Sequence, residues 1–131
     1  MPTSTFPGKS LKLPPNSNVV LGIDPGLATT GWGVLEKTSG ETRLLSYGAI
    51  VTIPGQLLSD RLLQIQQQLS ILIDAYRPSV LAIEELFFTK FATSIAATAQ
   101  ARGAILLTAA LKELAAVEYN PRAVKLAMTG R

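Results

Sequence analysis

Two apolar runs in this 131-residue chain end in an acid: Val19-Val20-Leu21-Gly22-Ile23-Asp24 and Val80-Leu81-Ala82-Ile83-Glu84. Both read as buried strands. Side chains alternate faces along a strand, so Gly22 shares a face with Asp24 and Ala82 shares one with Glu84. The bulky Leu21, Ile23, Leu81 and Ile83 fill the opposite faces. Each strand therefore has one core face and one shallow face that closes on a carboxylate. If the two strands are neighbours, Asp24 and Glu84 project together from the sheet edge where open α/β sheets bind ligands. A divalent cation relieves the repulsion between two adjacent carboxylates. Such a site activates water for in-line displacement at phosphorus. The bland alternative is an acid that only marks the chain's return to water. Glu85 also competes with Glu84, and the small Ala82 on the Glu84 face favours Glu84.

The composition narrows the chemistry. The chain has no cysteine and no histidine. Disulfides, thiolate nucleophiles, a Ser-His-Asp triad, a histidine general base and cysteine or histidine zinc sites are all excluded. Hydrolysis must rest on carboxylates, lysines or hydroxyls, and an oxygen-only ligand set points to Mg²⁺ or Mn²⁺. Apolar residues make up 47% of the chain, enough for a core. The net charge of +3 permits a nucleic-acid partner without demanding one. No apolar run is long enough to span a bilayer; the longest, Gly103 to Leu111, is followed by Lys112 and Glu113. The N-terminus has no charged region followed by an apolar one, so a cytoplasmic location is expected.

The elements that would position the acids are legible in outline. Residues 1–18, rich in Pro, Ser, Thr and Asn, read as a disordered tail ahead of one domain over 19–131. After the Asp24 strand, Gly31 to Leu35 and Arg43 to Val51 read as two more strands of an antiparallel meander. Leu58, Leu62, Ile65, Leu69, Leu72 and Tyr76 recur every three or four residues and predict an amphipathic helix. Gly55 or Ser59 lies near its start and Pro78 just past its end. A strand, a helix and the Glu84 strand in succession imply a crossover, hence parallel pairing. Phe91 to Leu114 reads as a second long helix, Val117 to Tyr119 as a short strand, and Pro121 as the opening of a third helix. Trp32 reads as core. Gly26 and Gly31 read as backbone positions around the site.

At this point the residues resemble a known family. Leu21-Gly22-Ile23-Asp24-Pro25-Gly26, continued to Gly33, is similar to the opening motif of RuvC Holliday-junction resolvases. Ala82-Ile83-Glu84-Glu85-Leu86-Phe87-Phe88 resembles their second acidic motif. Gln100-Ala101-Arg102-Gly103-Ala104 and Glu118-Tyr119-Asn120-Pro121-Arg122-Ala123-Val124-Lys125 resemble two further stretches. The resemblance implies an α/β, RNase H-like mixed sheet: a three-strand antiparallel meander plus parallel strands, flanked by helices. It implies two-metal hydrolysis of phosphodiesters at four-way DNA junctions by a homodimer, with a branch-migration helicase complex of the RuvA and RuvB type as partner. Asp24 and Glu84 match catalytic, metal-holding carboxylates, and Lys125 matches a catalytic, positively charged residue near the scissile phosphate. Phe87, Lys90, Arg122 and Lys125 are the expected DNA contacts. The helix from Phe91 would supply much of the dimer interface. Each has an ordinary alternative: Phe87 as a core aromatic, with Phe88 or Phe91 in its place, Lys125 as a solvated lysine, Arg102 as a cap or ion pair, and Gly103 as a close helix-packing position.

The sequence departs from the family at its end. The family's site needs two more acids near its C-terminus, and no acid follows Glu118 here. The expectation is a fold incomplete at the C-terminus and a chain that, as given, does not cleave. Three other readings stand beside the main one. One is a non-catalytic junction-binding remnant. Another is a YqgF-like RNA-processing nuclease. The third is an ASKHA-type nucleotide-binding fold, because Gly22-Ile23-Asp24-Pro25-Gly26 resembles a first phosphate loop.

Overall fold

The computed structural model describes residues 17–85 and 92–119. Its elements are β1 (Ser17–Asp24), β2 (Thr29–Thr38), β3 (Glu41–Val51), α1 (Leu58–Tyr76), β4 (Val80–Glu84), α2 (Ala92–Leu111) and β5 (Ala116–Tyr119). The third helix expected from Pro121 and most of the expected N-terminal tail lie outside the described residues. β1 begins at Ser17, two residues ahead of the apolar run, because Ser17 and Asn18 still pair with Thr38 and Lys37 of β2.

The five strands form one sheet in the order β3-β2-β1-β4-β5. β1, β2 and β3 make the expected antiparallel meander. β4 pairs parallel to β1, with Gly22 opposite Ala82 and Ile23 opposite Ile83, and β5 pairs parallel to β4. Gly40 supplies the positive φ of 81° that the β2–β3 turn needs. A register shift at Val34/Leu35 marks a bulge against β3.

α1 forms for the reason its spacing suggests: Ile65, Leu69 and Ile73 are buried in one stripe. Its start falls between the two expected residues. Leu57 occupies the cap position without a side-chain cap, while Gly55, at φ 92°, shapes the preceding turn and Ser59 lies inside the helix. Asp60 in the first turn suits the positive end of the helix dipole. The helix ends at Arg77 in a left-handed conformation, with its N–H donated to the Ile73 carbonyl at 2.8 Å. α2 stops at Leu111, three residues short of the expected end. Glu113 turns left-handed, and the Glu113 and Leu114 N–H groups donate to the Ala110 and Ala109 carbonyls at 3.0 and 2.8 Å. These two bonds satisfy carbonyls that the last turn leaves open, and Leu114 folds back onto the core.

Both helices lie on one face of the sheet. Leu21, Ile23, Val34, Ile50, Leu81 and Ile83 from the strands meet Ile65, Leu69 and Ile73 from α1 and Ala101, Ile105 and Ala109 from α2. Burial of each large aliphatic side chain contributes about 1.5–3 kcal/mol before entropy is subtracted. Trp32 joins this layer, as expected; its ring lies over Gly48 and 6.2 Å from the ring of Tyr76. The opposite face carries Val20, Gly22, Gly31, Gly33, Leu35, Ala82 and Val117. Neither described helix packs on it.

Candidate active site

Parallel pairing of β1 with β4 aligns their C-terminal ends. The register runs to Ile23 opposite Ile83, so Asp24 and Glu84 are the next pair, on the face away from the helices. The structure thus brings together the two acids chosen from sequence. Glu85 follows on the other side of the strand and donates its N–H to the Tyr119 carbonyl at 3.0 Å, which extends the β4–β5 ladder.

The loop after Asp24 is held by two buried threonines. The Thr30 hydroxyl donates to the Gly26 carbonyl at 2.6 Å. The Thr52 hydroxyl donates to the Leu27 carbonyl at 2.6 Å, and Arg61 Nε donates to Thr52 Oγ1 at 2.8 Å. Neither threonine exposes more than 1% of its surface. Gly26 is required here by close approach rather than by positive φ: a Cβ would lie 2.3 Å from the Thr29 carbonyl oxygen. Gly31 differs from expectation. A Cβ there would make only ordinary contact, 3.7 Å from the Asp24 Cβ, so its effect is to leave room beside the carboxylate.

That room is part of a hollow of about 300 Å³ bordered by Gly22, Asp24, Gly33, Leu35, Ala82 and Tyr119. Tyr119 is the residue that sequence reasoning missed as a site member. It pairs across the ladder with Glu84, which completes a row of Asp24, Glu84 and Tyr119 on three adjacent strand ends. The alternation of Val117 and Tyr119 signalled their common face, but only the register of β5 places Tyr119 opposite Glu84. Burial, then the charges of Glu84 and Asp24, push the Tyr119 phenol above its usual 10.0. The hydroxyl therefore stays protonated at neutral pH and is a donor among acceptors.

Arg102 and Gly103 also find their places. Arg102, largely buried, ion-pairs with Glu118 within the chain, on the helix side of β5. Gly103 does not pack closely against a helix, since nothing lies within 4 Å of a Cβ built there. It lines an open groove of about 560 Å³ between α1 and α2 with Leu62, Leu63, Ala104 and Leu107. Phe87, Lys90, Arg122 and Lys125 lie outside the described residues.

The donor set suits a hard divalent cation in kind: two carboxylates, in a chain without histidine or cysteine. In number it is partial. Among the described residues no group of three or more acids comes together. Mg²⁺ commonly keeps several waters and takes one or two protein carboxylates, so Asp24 and Glu84 fit as two of its ligands.

A meander joined through β1 to parallel strands, with helices on one face and acids at the ends of β1 and β4, defines an RNase H-like fold with a carboxylate site. The chain belongs to the RuvC family: the family model "Crossover junction endodeoxyribonuclease RuvC" matches residues 20–131. The RuvC of Endomicrobium trichonymphae is 52% identical over 113 residues, 86% of this chain and 60% of that protein. The RuvC of Treponema pallidum (strain Nichols) is 43% identical over 113 residues, 86% of this chain and 58% of that protein. The chain thus spans about three-fifths of the length of these curated relatives. Its structure superposes on that of T. thermophilus RuvC in complex with Holliday junction substrate with a TM-score of 0.79 at 30% identity. That match covers 87% of this chain and 70% of the other. The yeast mitochondrial Holliday junction resolvase Ydc2, at 10% identity and a TM-score of 0.56, shares the fold.

Proposed function

We propose that this chain carries half of the metal-dependent active site of an endonuclease that acts on four-way DNA junctions. The observation that supports this most is the pair Asp24 and Glu84, side by side at the ends of parallel strands on an otherwise small and apolar face. A divalent cation there would supply charge neutralisation and an acidified water for phosphodiester hydrolysis. The chain's part is to hold two carboxylates against their mutual repulsion on a rigid sheet edge. The pinned Pro25–Ala28 loop holds the backbone beyond Asp24, and the glycines beside Asp24 leave space for a backbone phosphate.

The remaining assignments belong to the same proposal. Phe87, Lys90, Arg122 and Lys125 are the proposed DNA contacts, chosen from the sequence motifs that carry them. Lys125 neutralises charge on the scissile phosphate. The protein acts as a homodimer whose two-fold symmetry matches that of the junction. The open groove between α1 and α2, with Leu63 and Leu107 exposed, suits an apolar self-association surface. A junction-remodelling helicase is the implied working partner, and Mg²⁺ is preferred over Mn²⁺.

Two carboxylates make a weak cation site, and the 131 residues are expected to bind junctions far better than they cut them. The test is competition binding to a four-way junction, a linear duplex and a structured RNA over a range of salt. Tight junction binding with steep salt dependence, and slow or no cleavage in Mg²⁺, is the expected result. Equal affinity for duplex and junction, or preference for RNA, would overturn the reading.

A further inference from the structure

The described cations divide by what holds them. Arg43, Arg102 and Lys112 are ion-paired with Glu36, Glu118 and Asp74. Lys37 and Arg77 are exposed. Arg61, in the first turn of α1, belongs to neither group. It is half-buried, and among the described residues no carboxylate pairs with it. Its Nε donates instead to a neutral acceptor, the hydroxyl oxygen of the buried Thr52, at 2.8 Å. Thr52 does not need this bond to hold the loop after Asp24. Its own N–H and hydroxyl already donate to the Ala28 and Leu27 carbonyls at 3.1 and 2.6 Å. The effect of the bond is therefore on the arginine. It fixes the plane of the guanidinium and leaves both Nη groups uncommitted among the described residues.

The topology carries this arginine to the sheet edge that bears the acids. Gly31 of β2 pairs with Asp24 of β1, and Thr29, two residues earlier, pairs with Val51 at the end of β3. Thr52 follows directly, so the anchor of Arg61 stands two strands from Asp24, roughly 10 Å at the usual spacing of neighbouring strands. A DNA strand covers that distance in about three nucleotides, at roughly 3.4 Å of rise each. We propose that Arg61 grips a backbone phosphate of the bound DNA strand, about three nucleotides from the phosphate at Asp24 and Glu84, with Thr52 setting the orientation of the guanidinium. The proposal rests on the reading of the chain as part of a DNA nuclease. Two Nη groups in one plane match two oxygens of a phosphate, and the phosphate supplies the counter-charge that the chain itself does not give to this arginine.

The experiment compares the 131-residue chain with Arg61→Gln and Arg61→Lys. Binding of each to a four-way DNA junction is measured without divalent cation, from about 50 to 200 mM salt, and each chain is melted. In Arg61→Gln the slope of log affinity against log salt should fall in magnitude by about one, the value of one lost phosphate contact. Arg61→Lys keeps the charge and should keep most of the slope. A wild-type slope in Arg61→Gln, even with a lower melting temperature, would show that the arginine only supports the fold; the proposal would fall and the DNA-binding reading would stand. A measurement on the wild-type chain serves where Arg61→Gln does not fold: the Arg61 Nε–H signal in its NMR spectrum should shift when the junction is added, and an unmoved signal would overturn the proposal. A wild-type chain with no salt-dependent binding to the junction would remove the nuclease reading, and the role of Arg61 with it.

Discussion

At the scale of single residues, the site depends on what surrounds two carboxylates as much as on the carboxylates. Gly26 illustrates this. Because the group that a Cβ would strike is backbone, not a flexible side chain, Gly26→Ala must shift the loop that follows Asp24. We expect a loss of about 2 kcal/mol, typical of overpacking, read as a lower melting temperature. An unchanged transition would mean that the loop has room to relax. The phenol of Tyr119 offers a second check. Its pKa in the folded chain lies above the usual 10.0. The unfolded chain therefore loses that proton first as pH rises. The associated stability is complete below pH 10.0 and is lost as pH climbs through the folded value. Glu84→Gln and Asp24→Asn should each return the Tyr119 transition toward 10.0, Glu84→Gln further, because Glu84 ranks ahead of Asp24 among the causes. Ultraviolet difference absorbance of tyrosinate, with Tyr119→Phe as the blank, measures this. No movement in either variant would mean that the three groups are not neighbours.

At the scale of elements, the acids are placed by strands of very different security. β1 lies at the centre of the sheet, with Leu21 and Ile23 fully buried beneath it. β5 is a four-residue strand at the edge of the described sheet, held by β4 on one side and by α2 through Arg102. Short edge strands open locally at lower free energy than central ones. Arg102→Ala should therefore loosen β5 selectively: amide exchange at Val117 to Tyr119 should speed up several-fold, roughly the effect of 1 kcal/mol for one partly exposed ion pair. Exchange in β1 should stay unchanged, and an equal acceleration in both strands would show that Arg102 stabilises the whole domain. By contrast, Lys112–Asp74 joins the ends of the two helices with Asp74 largely exposed. Its removal should move the melting temperature little.

At the scale of the whole molecule, the described chain has two open surfaces. One is the acid-bearing sheet face, and the other is the groove between α1 and α2. Under the homodimer reading, Leu107→Glu puts a charge into that groove and should weaken self-association by roughly tenfold or more, about 1.4 kcal/mol per tenfold. Sedimentation velocity over a concentration range measures this. A wild-type chain that is monomeric throughout would exclude the groove as a dimer surface.

Much of this was legible in the chain alone, because periodicity reports burial directly. The alternation of Leu21 and Ile23 against Gly22 and Asp24 specified a strand with one core face. The spacing from Leu58 to Tyr76 specified the helix that makes β4 return parallel to β1. Those local patterns were enough to choose Asp24 and Glu84. Helix ends were less legible: Arg77 and Glu113 close their helices in left-handed turns without glycine, and the bonds that compensate exist only once the last turns have formed. The place of Tyr119 was decided by tertiary structure alone. A strand's alternation says which residues share a face, but not which residue of the neighbouring strand stands opposite. That register is set by the ladder between β4 and β5 and by the ion pair from α2, contacts between segments that no local pattern encodes.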